Sequence, residues 1–267
     1  MQADGGSLQH RSARVVERIP ENPKTVTLVL DGALPQARPG QFCMLWLPGV
    51  DEKPFSIAGA DPLMFTVSGV GPFSDALQAL APGDPVWVRG PFGTGWTLGP
   101  GRALLVGGGY GAAPLYFLAR ELCRGHARVE AAIGARTSAD LLFVDRFGGL
   151  GARVHVATED GSQGRAGRVT EVVRPLLESG RFHRVCACGP EGLLEALADL
   201  CAGTGVPGEL SHEAYMRCGV GICGSCEHEA RLVCMDGPVF AVPGGPSRAA
   251  GQRAEHARGT PSRGAPA

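Results

Sequence analysis

No apolar run in this 267-residue chain approaches the roughly 18 residues that cross a bilayer, so no spanning helix is expected. Net charge is nearly absent. The 25 basic and 26 acidic residues leave a formal -1, which gives no electrostatic footprint for nucleic acid. Charged residues are sparse at 19%, yet hydrophobic residues reach 44%, enough for a packed core and against wholesale disorder. Internal repeats are missing. The seven histidines contain no pair at ligand spacing and read as structural or solvated. Met1–Arg14 is polar and lacks the apolar stretch of a signal peptide, so the expected location is cytoplasmic.

Glycine (41), proline (21) and cysteine (9) are plentiful instead. The first two predict many tight turns. An odd cysteine count in a reducing compartment argues against a disulfide framework and for metal or redox chemistry. Short strand-like runs at Thr25–Leu30, Gln41–Leu47, Met64–Ser68 and Pro85–Arg89 are fenced by Gly and Pro. They predict a small antiparallel barrel, interrupted by a helix near Ser74–Leu80. From Gly101 strands and helices alternate. Strands are expected at Arg102–Val106, Val129–Ile133, Val154–Ala157 and Arg184–Ala187. Helices are expected at Ala113–Arg124, Asp140–Phe147, Val169–Glu178 and Leu193–Cys201, giving a parallel doubly wound sheet. The expected division is a disordered N-terminus (1–10), a barrel (11–100), an α/β domain (101–207), a loop-like cysteine-rich segment (208–240) and a disordered tail (241–267).

The strongest signal is Cys218, Cys223 and Cys226 at C-x4-C-x2-C spacing, with Cys234 eight positions on. This is plant-type [2Fe–2S] spacing, and four thiolates supply two sulfurs to each iron. The intervening glycines let the loop fold tightly and aim backbone N–H groups at sulfur. The competing reading is structural zinc, which usually shows two C-x2-C knuckles where only one exists here. A second signal is Gly107, Gly108, Gly109 and Gly111 between a strand and a helix, where a backbone can approach a pyrophosphate. It departs from G-x-G-x-x-G and is by itself equally a tight turn. Lys53-Pro54-Phe55-Ser56 reads alone as an ordinary edge segment. Cys188-Gly189-Pro190 ends a strand before a helix, and its thiol reads alone as core.

In this order the segments resemble the ferredoxin-NADP reductase superfamily, and within it the iron–sulfur electron-transfer subunits of class 1B dihydroorotate dehydrogenase. The resemblance spans nearly all of 10–240 and is most specific in Ser211–Cys226 and Cys234–Phe240. It implies multidomain β and α/β architecture: an antiparallel FAD-binding β-barrel, then a parallel α/β nucleotide-binding domain, then a small C-terminal [2Fe–2S] cluster loop domain. The implied cofactors are FAD, a [2Fe–2S] cluster held by Cys218, Cys223, Cys226 and Cys234, and NAD. Lys53, Pro54, Phe55 and Ser56 match the family's flavin motif, with Lys where Arg is usual, which keeps the charge and loses the bidentate fork. Gly71 and Ser74 fall in its second flavin segment, with Ser74 expected as helix cap and phosphate donor. Gly90 matches a turn near the flavin, and Cys188, Gly189 and Pro190 match the segment beside the nicotinamide.

Nicotinamide moves electrons in pairs as hydride and an iron–sulfur cluster moves them singly, so the flavin is expected between them. The implied partner is an FMN-containing catalytic dihydroorotate dehydrogenase subunit, in a hetero-oligomer that is a heterotetramer by resemblance. Other readings are the NAD(P)H-oxidising subunit of a hydrogenase, sulfite reductase or similar complex, and a non-catalytic nucleotide-binding regulator with a zinc loop. Glu159 and Asp160 follow the third strand of the α/β segment, where NADPH-preferring relatives carry Ser and Arg. Two carboxylates would repel a 2′-phosphate and accept a hydrogen bond from a ribose hydroxyl, so NAD is the expected nucleotide. The plainer alternative is that both acids cap the next turn.

Overall fold

The computed structural model describes residues 7–244. The remainder of the expected disordered ends, 1–6 and 245–267, lies outside the described residues.

The Gly- and Pro-fenced runs form a closed six-stranded antiparallel barrel in the order β1-β2-β5-β4-β3-β6. The strands are β1 (Ser7–Asn22), β2 (Thr25–Leu30), β3 (Phe42–Leu47), β4 (Asp51–Ala60), β5 (Leu63–Ser68) and β6 (Pro85–Phe92). Leu28, Leu45, Ile57, Phe65, Val67 and Val86 fill its interior. β1 went unrecognised in the sequence because it is polar, with only Ala13 and Val15 buried. Backbone pairing to both β2 and β6 makes it the strand that closes the barrel. Its first residues, Ser7–His10, correct the expectation of a disordered 1–10, since Ser7 already pairs with Gly90. Helix α1 (Pro72–Gln78) buries Phe73 and Leu77. It begins two residues before Ser74, because Pro at the first helical position gives up an N–H that would be unpaired anyway.

A seven-stranded sheet follows in the order β10-β9-β8-β7-β11-β12-β15. Its members are β7 (Arg102–Gly108), β8 (Arg128–Ala135), β9 (Arg153–Thr158), β10 (Arg165–Ala166), β11 (Arg184–Cys188), β12 (Gly208–Ser211) and β15 (Val239–Val242). All neighbours are parallel except β12 and β15. Successive β7 side chains alternate between two cores, as the period of two requires. Ala103 and Leu105 face α2 (Ala112–Arg124) and α3 (Val144–Gly149), while Leu104 and Val106 face α4 (Val169–Glu178) and α5 (Glu191–Thr204). Helix α3 starts later than expected, because residues 138–140 form a single 3-10 turn and Phe143 takes φ 62 before the helix begins.

The cysteine-rich segment is not a separate appendage over 208–240. Its ends are β12 and β15, which pair with each other and extend the nucleotide sheet, burying Leu210, Val239 and Phe240. Ala241 and Val242, expected in a disordered tail, complete β15. Between these strands lie a hairpin of β13 (Glu227–His228) and β14 (Arg231–Leu232) and the short helix α6 (Val233–Asp236). This insertion packs on the barrel through a core of Phe42, Met44, Phe92, Met216, Val233 and Phe240.

Candidate functional site

The chain order reverses between β7 and β11, and open α/β sheets bind ligands at such a switch point. The turns after these strands cross there at van der Waals distance. A Cβ on Gly189 would lie 3.1 Å from Gly108 Cα, one on Gly107 would lie 3.1 Å from Ala112 Cα, and one on Gly111 would overlap the Cys188 carbonyl. Gly111 is therefore required by packing, and Gly107 and Gly189 sit tightly against their neighbours. Gly109 differs. It has φ +55 and no atom within 4 Å of a Cβ, so its backbone stands open.

Two cavities flank this crossing. The first, of about 550 Å³, is lined by Lys53, Pro54, Phe55, Ser56, Gly71, Ser74, Gly111 and Cys188, so barrel and sheet share its wall. Its wall also includes Tyr110, His212, Glu213, Tyr215 and Met216, which sequence reasoning passed over. The second, of about 540 Å³, is lined by Gly108, Gly109, Glu159 and Pro190, with Lys24, Arg136 and Arg168 supplying positive charge. Ser68, Val70 and Tyr110 line both cavities, so the two adjoin.

The polar groups of the first cavity are unequally committed. Thr66 is bonded to Thr27 at 2.9 Å and Ser68 to Thr25 at 2.8 Å, across the β2–β5 ladder. Ser56 makes no such bond and presents a spare hydroxyl among the apolar residues Pro54 and Phe55. Ser74 is a correction. Its Oγ accepts from the Val70 and Gly71 N–H groups and donates to the Gly71 carbonyl, so it closes its own turn and is no free phosphate donor. It is also not the cap, since Gly71 holds that position. Lys53 lies 2.7 Å from Asp51 and stacks 5.2 Å over the Tyr215 ring, so its charge is shared within the wall. The Tyr110 hydroxyl donates to Glu213 at 3.1 Å. Burial, then the Glu213 charge, push the phenol up to about 12. Glu213 is open to the cavity, but the atoms packed around it raise its carboxyl above the usual carboxylate value, and the Tyr110 bond only partly offsets this.

Other predicted residues part company. Gly90 lines neither cavity; its φ of +130 and close approach to Cys43 Sγ, 3.1 Å from a Cβ, make it a barrel-packing residue. Glu159 reaches the second cavity, whereas Asp160 is exposed and spends its Oδ1 on the Ser162 N–H and hydroxyl. The turn-capping alternative thus applies to Asp160 alone.

The four thiols gather in the insertion. Positive φ at Gly219, Gly221 and Gly224, between 71° and 76°, curls the loop. The Val220, Ile222 and Cys223 N–H groups point at Cys218 Sγ at 3.3–3.5 Å, and the Gly221 N–H at Cys234 Sγ at 3.2 Å. The thiols lie close enough to act on one another: Cys223 on Cys218, and Cys234 on both Cys226 and Cys218. Ser225 Oγ, backbone amides and Cys218 lower the exposed Cys223 thiol to about 6, toward the ligating thiolate. Burial and Cys226 raise Cys234 to about 12. Arg89, buried in the barrel, holds Glu52 through two hydrogen bonds of 2.7 and 2.9 Å and donates to the Cys218 carbonyl at 2.9 Å. Phe42 and Met216 serve both the cluster-loop core and the cavity wall, so loop and cavity are back to back.

The histidines are not all isolated. His212, on the cavity wall, stacks on His228 of the hairpin with ring centroids 4.8 Å apart and lies 3.7 Å from Glu191. Sixteen positions separate the two in sequence, which hid the pair.

Comparison with known proteins bears on these features directly. Residues 213–243 match the family model for the iron–sulfur cluster binding domain of dihydroorotate dehydrogenase B. A Methanocaldococcus jannaschii protein named "Probable dihydroorotate dehydrogenase B (NAD(+)), electron transfer subunit" is 40% identical, covering 85% of this chain and 88% of its own. A Methanopyrus kandleri protein of the same name is 43% identical over the same shares. The chain belongs to this family. Among solved structures, the NADH-dependent reduced ferredoxin-NADP oxidoreductase is 28% identical with a TM-score of 0.79, covering 86% of this chain and 87% of that one. The expected barrel, α/β domain and cluster segment are those of this family of electron transfer subunits.

Proposed function

We propose that the chain passes electrons between NAD, bound in the second cavity, and a separate FMN-containing dihydroorotate dehydrogenase catalytic subunit, which docks near the cluster loop. The first cavity would hold FAD, and Cys218, Cys223, Cys226 and Cys234 would hold the [2Fe–2S] cluster. When bound, a flavin exchanges hydride for single electrons and the cluster relays those electrons one at a time. One observation carries the reading: the two cavities meet at Tyr110, and the cluster loop backs onto the first of them through Phe42 and Met216.

The residues present suit these groups. Pro54, Phe55 and Phe73 offer an apolar wall, and Ser56 an uncommitted hydroxyl. Tyr110, as a neutral phenol, donates to Glu213 and keeps that carboxylate oriented. The open backbone at Gly109 and the cations Lys24, Arg136 and Arg168 suit a pyrophosphate, and Glu159 suits a ribose hydroxyl. The protein's work is therefore placement and the exclusion of water. None of its nine cysteines is in a disulfide, which suits a reducing compartment, and we assign it to the cytoplasm. The purified chain is expected to reduce artificial acceptors with NADH and to leave dihydroorotate untouched until the catalytic subunit is added. Turnover of dihydroorotate by the chain alone would contradict this. A partner captured from its own cytoplasm that has no dihydroorotate activity would favour a reductase of another complex.

A further inference from the structure

The nucleotide sheet and the cluster insertion meet at a group of three side chains, of which only His212 also borders the first cavity. Glu191 opens helix α5, His212 follows β12, and His228 lies on β13. One ligating atom from each falls within 4.8 Å of the others, and no other such trio occurs among the described residues. His212 Nδ1 is buried, lies 3.7 Å from Glu191 Oε1 and has no hydrogen-bond partner. A buried polar atom without a partner is costly, and native structures nearly always satisfy it. Burial, outweighing the opposing charge of Glu191, also favours the neutral imidazole, which is the ligating form.

We propose that Glu191, His212 and His228 form a second metal site, distinct from the four thiols, for a divalent cation of the zinc type. Two imidazoles and one carboxylate suit zinc and neighbouring first-row cations, whereas magnesium and calcium prefer all-oxygen shells. The spacing is somewhat wider than a closed coordination sphere, so side-chain rotation completes the site. Each ligand comes from a different stretch of chain. A bound ion would pin the β13–β14 hairpin to the first turn of α5, latching the cluster insertion onto the nucleotide sheet.

The test is zinc titration of the purified holoprotein, with zinc, iron and flavin contents measured after desalting. One equivalent of zinc is expected, taken up without loss of iron and accompanied by a rise in thermal midpoint. Glu191→Gln and His228→Asn should each weaken uptake by more than the roughly 10- to 100-fold typical of second-layer changes around a metal. Glu191 is far in sequence from the thiols, so its variant decides alone should His228→Asn lose iron. No uptake below millimolar zinc, uptake only with displacement of iron, or uptake undiminished in Glu191→Gln would each overturn the proposal.

Discussion

The four thiols of the cluster loop come from one short stretch, 218–234, whereas the walls of the first cavity come from β3, β4, β5, α1, the turn after β7, the end of β11 and the segment after β12. The loop is organised locally, by left-handed glycines and by N–H groups that reach sulfur within a few residues. The cavity is organised by topology, and few of its polar groups touch a sequence neighbour. A site of the first kind fails when one ligand is lost; a site of the second kind fails when the elements shift.

The largest effect expected from this contrast is at the thiols. Cys226→Ser should remove iron and lower electron delivery to a one-electron partner by orders of magnitude while flavin is retained. Cys43→Ser and Cys201→Ser should keep their iron. Metal and sulfide analysis separates these outcomes, and flavin lost along with iron would show that loop and cavity are one unit. Next comes Gly111→Ala. The added Cβ meets the Cys188 carbonyl, so about 1–3 kcal/mol of stability should be lost in urea unfolding, with a raised KM for NADH. An unchanged midpoint would mean the crossing of the two turns has slack.

A smaller effect separates the two acids after β9. Glu159→Gln should raise kcat/KM for NADPH by about tenfold, the effect of removing one close like charge. Asp160→Asn should leave it unchanged, because that side chain is occupied by Ser162. Equal responses would return both acids to the cavity or remove both. The smallest effect concerns Glu213. Its carboxyl is raised in the folded protein, so the folded state holds the proton more tightly than the unfolded chain does. Stability should fall as pH rises from the ordinary carboxylate value, about 4.3, through the raised one. Glu213→Gln should flatten that slope in thermal unfolding measured across acidic pH, and an unaltered slope would place the carboxyl in bulk solvent.

The same contrast explains what could be read in advance. Cys218, Cys223, Cys226 and Cys234 were legible because their spacing encodes the loop. Lys53–Ser56 and Cys188 were legible only through resemblance, since nothing local distinguishes an edge strand or a buried thiol from a cavity wall. Tyr110, His212 and Glu213 were missed because only the folding of β12 beside β11 brings them together. Ser74 was misjudged because a hydroxyl before a helical run looks like a cap, while Pro72 starts the helix earlier and turns Ser74 back onto Gly71. β1 escaped notice because closing the barrel takes backbone pairing and only two inward side chains.

The most direct test of the account is an anaerobic NADH titration of the purified chain, followed by visible absorption and by electron paramagnetic resonance. The account predicts flavin and iron–sulfur absorption in the same protein, with both signals changed by NADH without the catalytic subunit. A protein that holds zinc in place of iron, or one whose flavin is bleached by NADH while an intact cluster never receives an electron, would contradict it.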